Sequence, residues 1–171
     1  PDSFTALAIA EFNLRHVFTK EMKDAAAAAS LQELGKRKDL RTTPLVTIDG
    51  EDAKDFDDAV FAEPAPENCW RIIVAIADVS TYVQSGDILD HEARQRGNSV
   101  YLPGTVIPML PEALSNGLCS LRPHEDRACL AVEIIIDSAG KKLSHKFFQA
   151  LIKSSARLTY TMVQQVIEGS L

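Results

Sequence analysis

The sequence predicts an α/β fold of the α+β type, a mixed, largely antiparallel β-sheet with helices packed on it. Three observations lead there. After Pro44 the chain runs through five stretches rich in β-branched and apolar residues, bounded by turn residues. The last two flank "DSAG", residues 137–140, a turn signal that joins them as a hairpin. Helical patterns with capping residues open and close the chain.

Residues 5–14 read as a helix, and so do residues 19–34, with Thr19 as N-cap, an alanine-rich body and Gly35 where a C-terminal cap falls. "GKRKDLRTTP" is then a basic, polar linker. The strands follow as "LVTID", "DAVFAE", "WRIIVAIADV", "CLAVEIIID" and "KLSHKFFQALIKS". Between the third and fourth, "GDILDHEARQRG" reads as a short helix with Asp87 as N-cap and Gly97 as its stop. "SVYLPGTVIPMLPEALSNGLCSL" is too punctuated by proline for one element, and a connection of that length is more often functional than idle. "RLTYTMVQQVIEG" closes the chain as a helix capped by Thr159. The organisation expected is a helical lead-in and linker over 1–40 and the main domain over 41–171.

Composition narrows the class. With 46% apolar and 25% charged residues, 171 residues support a packed core rather than a disordered tail. Cys69, Cys119 and Cys129 form no CxxC pair and lack a histidine at zinc-finger spacing, so neither a disulfide framework nor structural zinc is expected. Apolar runs such as "AAAAA" and "IIVAIA" fall far short of the ~20 residues of a membrane-spanning helix, and no signal peptide opens the chain. A soluble, cytoplasmic protein with no membrane partner is the expectation. The start at "PDSF" and the end at "VIEGSL" suggest a piece of a longer polypeptide. A net charge of −6 argues against a nucleic-acid partner only if it is spread evenly. It is not: residues 47–67 hold eight acids against Lys54, a net of −7, and the remainder nets +1.

That acidity centres on "TIDGEDAKDFDDAV", residues 47–60, where Asp49 ends one strand, Asp57 and Asp58 open the next and Asp55 lies just before. Acids in a loop are usually solvated. Four carboxylates gathered by one strand connection, however, repel one another and call for a cation. Hard oxygen donors without histidine or cysteine suit Mg²⁺, Mn²⁺ or Ca²⁺. As a calcium EF-hand loop from Asp49 the segment fails, because Ala53 sits at a ligand position, Lys54 where glycine belongs and Val60 where the bidentate glutamate belongs. Mg²⁺ keeps water and substrate phosphate in its shell, so an all-aspartate set resembles a phosphoryl-transfer site. In an extended strand Asp58 faces away from Asp55 and Asp57, so a bend near Phe56–Asp58 is expected.

These residues carry a resemblance. "DLRTTPLVTIDGEDAKDFDDAV", the long stretch from "VAIADVSTYVQ" through "RACLAVEI", and "SSARLTY" together resemble the catalytic (RNB) domain of the ribonuclease II and ribonuclease R family, from about Asp39 onward, with a weaker echo in "LRHVFTKEM". The resemblance implies a partial RNB catalytic domain, its N-terminal portion over 41–171, from a Mg²⁺-dependent 3′-to-5′ exoribonuclease, with Mn²⁺ as a substitute metal. It acts on single-stranded RNA and releases nucleoside 5′-monophosphates. It implies that Asp49, Asp55, Asp57 and Asp58 are the catalytic, metal-binding aspartates and that Tyr101 in "SVYLP" stacks on a base near the RNA 3′ end. It also implies flanking OB-fold RNA-binding domains, a second stacking aromatic and an active-site arginine outside this sequence. The chain alone is therefore expected to be inactive. A non-catalytic RNA-binding or partner-docking module is the alternative, and a Ca²⁺-stabilised structural module a third.

Other residues have plainer readings. By pattern alone Tyr101, between Val100 and Leu102, is core or rim. Arg122 and Arg127 are more often structural ion pairs or solvated than phosphate contacts. Asp78 supports the site or caps a turn. Trp70 reads as core, and the four histidines show no common spacing.

Overall fold

The computed structural model describes residues 3–170. Its secondary structure runs α1 (Ser3–Glu11), α2 (Lys20–Ala27), β1 (Lys38–Leu40), β2 (Val46–Asp49), β3 (Asp58–Ala65), β4 (Cys69–Ala77), α3 (Ile88–Arg96), β5 (Val100–Leu102), β6 (Thr105–Ile107), β7 (Asp126–Ile136), β8 (Lys142–Lys153), β9 (Ala156–Thr159) and α4 (Tyr160–Ile167). The chain divides into two compact units, Pro1–Ser30 with Ser80–Leu118, and Leu31–Val79 with Cys119–Leu171.

The larger unit is built on a seven-stranded sheet in the order β1-β8-β7-β4-β3-β2-β9. The five inner strands pair antiparallel, while the edge strands β1 and β9 run parallel to β8 and β2. This is the mixed, largely antiparallel sheet the sequence predicts. β4 shows why it forms. Its residues Cys69, Ile73, Ala75 and Ala77 are buried, while Trp70 and Ile76 on the alternate positions are exposed. Leu45, Thr47, Ile73, Leu121, Cys129 and Ile152 are sealed from solvent. Asp78, at the end of β4, is buried and ion-paired to Arg37 at 2.8 Å, and Gln149 donates to it at 3.2 Å, so its role is to tie strands together. α4 packs beside β2 and β9, and Thr159 caps it as expected by accepting from the Met162 amide at 3.1 Å.

In the smaller unit α2, α3 and the π turn Ala113–Leu118 enclose Ala26, Leu89, Ala93 and Leu114. Thr19 and Asp87 cap α2 and α3 as the sequence indicates. At the heart of this unit, buried Glu92 accepts from Arg15 and, at 2.9 Å, from Arg96, whose guanidinium lies 3.6 Å from the Phe18 ring centroid.

Several expectations are corrected. α2 ends at Ala27 rather than residue 34, because no side chain from Ala27 to Asp39 is buried and alanine propensity alone does not sustain a short helix. α1 stops at Glu11, and Asn13 follows in a left-handed conformation with φ 48°. The basic linker contains a strand, β1, whose Leu40 is buried against the sheet edge. The proline-punctuated stretch contains the β5–β6 hairpin, turned at Pro103-Gly104 with Gly104 at φ 72°. Trp70 is not core. It lies 46% exposed between Pro64 and Ile136, on the outward face of β4.

Candidate active site

β2 ends at Asp49 because its parallel partner β9 runs out at Thr159, the cap of α4. β2 meets β3 only at Val46 and Val60, so the two strands splay and residues 50–57 span the opening. Three of the four aspartates lie in or next to this span, and Asp58 is the first residue of β3. The expected bend is supplied by this connection rather than by a bulge in a strand. Phe56 turns inward and is 8% exposed, while Asp57 and Asp58 on its far side are both exposed, breaking the alternation an extended strand would impose. Asp49 and Asp55 are half-buried.

The span is pinned. The hydroxyl of Ser120, itself fully buried, donates to the Lys54 carbonyl at 2.8 Å and accepts from the Phe56 amide at 3.1 Å. The Leu121 amide donates to the Phe56 carbonyl at 2.8 Å, and the Ala77 amide to that of Asp57 at 2.9 Å. Arg127 donates to the Ser120 carbonyl at 2.8 Å from a buried position and pairs with Glu125, so it props the site from behind and is no phosphate contact. Arg122 is exposed. From β9, Arg157 reaches the carbonyls of Gly50 and Glu51. Ser120 and Arg157 were not singled out from sequence. Each acts through main-chain atoms of a distant segment, which residue type alone does not reveal.

The electrostatics of Asp49 and Asp57 are dominated by lost hydration and like charge. Loss of hydration, then Asp58 and Asp55, push the Asp49 carboxyl above its ordinary value, and Arg157 opposes them. Asp57 is raised too, by the protein mass around its accessible side chain and then by Asp55, Asp58 and Asp49. Raised carboxyls with like charges nearby are more common at functional sites than in solubilising loops. Burial pushes the nearby Cys119 thiol up to about 12, so it is inert as a nucleophile.

The donor set is all hard oxygen and fits a divalent cation such as Mg²⁺ or Mn²⁺. Among the described residues no three acidic, histidine or cysteine side chains converge closely enough to hold an ion by themselves. A metal held here would therefore draw several of its ligands from water and phosphate, as Mg²⁺ commonly does. Tyr101 belongs to the smaller unit, on β5 opposite Val106, where its ring is 63% exposed. The rim reading from pattern holds and the core reading does not.

Comparison with known proteins sets this α+β unit and its open aspartate connection in a family. The RNB domain family model matches residues 37–171, so the chain belongs to the RNB domain family. It is 49% identical over 173 residues to ribonuclease R of Vibrio cholerae, covering 99% of this chain and 21% of that protein. It is 58% identical over 133 residues to ribonuclease R of Escherichia coli, covering 78% of this chain and 16% of that protein. The fold matches Mycoplasma genitalium RNase R, solved with ribose-methylated single-stranded RNA, at TM-score 0.92 and 32% identity, over 97% of this chain and 26% of that one. The chain thus spans about a fifth of the length of its curated relatives. Yeast Ssd1, described as a pseudonuclease, shares the fold at TM-score 0.74 and 20% identity.

Proposed function

We propose that this chain supplies the aspartate site of a Mg²⁺-dependent 3′-to-5′ exoribonuclease that hydrolyses single-stranded RNA to nucleoside 5′-monophosphates in the cytoplasm, with Mn²⁺ as substitute. The observation that carries the reading is the set Asp49, Asp55, Asp57 and Asp58. They are held in one connection, where lost hydration and then the neighbouring carboxylates raise Asp49 and Asp57, with Arg157 opposing the rise at Asp49. Single-stranded RNA as the partner is supported by the RNase R relative solved with such RNA.

A divalent ion bound by the four aspartates would polarise the scissile phosphate and lower the pKa of water. What the chain's own residues do is set the stage. In this reading the four aspartates flank the opening between β2 and β3, and Phe56, turned inward, keeps the floor apolar. Asp57, central in the set, orients the attacking water. Tyr101 stacks on a base near the RNA 3′ end, a contact that tolerates any sequence because every base has a π-face.

A second reading, a non-catalytic RNA-binding or partner-docking module, draws support from the fold shared with a pseudonuclease. Concentrated carboxylates disfavour it, since a purely binding role gains nothing from negative charge beside phosphate. The remaining RNA path, an active-site arginine and the flanking OB-fold domains belong to the rest of the polypeptide in this proposal, so the chain by itself has no appreciable activity. Loss of a charged group that stabilises the transition state costs ~10³–10⁵ in related phosphoryl transfers. Labelled single-stranded RNA incubated with Mg²⁺ and either the full-length polypeptide carrying this sequence or the chain alone tests both statements. Mononucleotide release is expected from the first only. No release from the full-length protein favours the binding module, and release by the chain that Asp57→Asn abolishes refutes the dependence on the rest.

A further inference from the structure

The connection from Gly50 to Asp57 is held in two unequal halves. Residues 54–57 are fixed by four main-chain tethers, two through the Ser120 hydroxyl and one each from the Leu121 and Ala77 amides. Residues 50–53, which follow Asp49, have one turn bond of their own, Ala53 amide to Gly50 carbonyl at 3.2 Å. Their other hold is a single side chain. Arg157 Nη2 donates to the Gly50 carbonyl at 2.7 Å and to that of Glu51, while the guanidinium carbon lies 5.6 Å from the centroid of the Phe56 ring. Arg157 therefore touches both halves. Its place is set by the sheet, because β9 pairs Arg157 with Thr47, two residues before Asp49.

We propose that Arg157 is a positioning residue, a brace between the two halves of the aspartate connection that fixes where Asp49 stands relative to Asp55, Asp57 and Asp58; this rests on the metal-dependent reading above. A simple counter-ion would spend its donors on carboxylates. Both hydrogen bonds of Arg157 Nη2 go instead to main-chain carbonyls while the guanidinium carbon also lies near the Phe56 ring, a combination that the point charge of a lysine reproduces only in part. The two roles differ in sign. Removing a positive charge beside four carboxylates strengthens cation binding by Coulomb attraction, whereas removing a brace weakens it by letting Asp49 drift.

The test uses the full-length polypeptide carrying this sequence, with Arg157→Met and Arg157→Lys. In Arg157→Met, hydrogen exchange of the Ala53 amide, bonded to the Gly50 carbonyl, is expected to quicken while the Phe56 amide, held by the Ser120 hydroxyl, stays protected. Mn²⁺ binding followed by electron paramagnetic resonance is expected to weaken about tenfold, the scale of one or two lost hydrogen bonds. Arg157→Lys should recover part of that loss, and turnover should fall in both with the KM for RNA unchanged. Unchanged exchange at Ala53, or Mn²⁺ bound as tightly or more tightly, overturns the brace. If Arg157→Met does not fold, Arg157→Lys decides: exchange and Mn²⁺ affinity equal to the parent's overturn it equally. Asp57→Asn keeps the two levels apart. Mn²⁺ binding and turnover unmoved by that substitution overturn the metal reading itself and, with it, a role for Arg157 in placing ligands.

Discussion

Two groups of carboxylates in this molecule are treated in opposite ways. Glu92, buried in the smaller unit, receives Arg15 and Arg96, and the hydrogen bond from Arg15 first of all holds its carboxyl below the ordinary value. Asp49 and Asp57 are raised, first because the protein around them takes water away and then because other aspartates are their neighbours. An acid that serves architecture is supplied with cations by the fold. The proposed metal site at 49–58 rests on this contrast.

The largest effect that separates the groups is on turnover. Asp57→Asn in the full-length polypeptide is expected to lower hydrolysis by ~10³-fold or more, the scale of removing one preorganised stabilising group. RNA affinity should hold or improve, since less negative charge then faces phosphate. Comparing turnover with filter binding checks this, and parallel loss of both points to misfolding instead.

Glu92→Gln reverses the pattern, leaving the chemistry alone and weakening the fold. Removing one charge from a buried pair typically costs ~3 kcal/mol, because Arg96 stays buried with its partner neutralised. The sign with pH follows from the lowered pKa. A carboxyl depressed in the folded state stabilises above its unfolded value near 4.5, and that stability disappears as pH falls through the folded pKa. Urea midpoints for both proteins should differ most at neutral pH and converge in acid; a constant gap would mean lost packing rather than lost charge.

Tyr101 offers a milder contrast, a ring whose importance lies in exposure rather than charge. Tyr101→Ala should weaken binding of the shortest RNAs by ~1–3 kcal/mol, the scale of one base–aromatic stack, and change the size of the final product. An unaltered ladder of end products and unaltered short-RNA affinity would remove Tyr101 from the site.

What was legible beforehand follows the same division. The central strands and three helix caps, Thr19, Asp87 and Thr159, were readable because alternation and capping are local signals. So was the placement of the four aspartates at the ends of β2 and β3 and in the connection between them, since they are near neighbours in sequence. Trp70 was misjudged because "WRIIVAIADV" has two apolar faces, and only pairing with β3 and β7 decides which one turns inward. β1 escaped notice as three residues in a charged run, held in place by β8 more than a hundred positions away. Ser120 and Arg157 were invisible for a related reason: each meets the site through main-chain atoms, which carry no residue identity.

The smallest effect is also the sharpest check on the contrast, because it concerns stability without metal. With a chelator present, an ionised Asp57 is disfavoured in the folded state, as its raised pKa implies. Asp57→Asn should therefore stabilise the metal-free protein at neutral pH, by about 0.5 kcal/mol, the order of a single accessible charge interaction. The folded protein holds the Asp57 proton more tightly than the unfolded chain, so the parent loses stability as pH rises from the ordinary value of 3.8 through the raised one. Below that range Asp57 is neutral in both states and the advantage of asparagine vanishes. Glu92→Gln and Asp57→Asn thus converge on their parent in acid from opposite sides, one from below and one from above. Adding Mg²⁺ should erase the gain at Asp57 by supplying the missing positive charge, and leave the loss at Glu92 untouched. A stabilising effect of Asp57→Asn that survived both acid and Mg²⁺ would show that repulsion among the aspartates is not its cause.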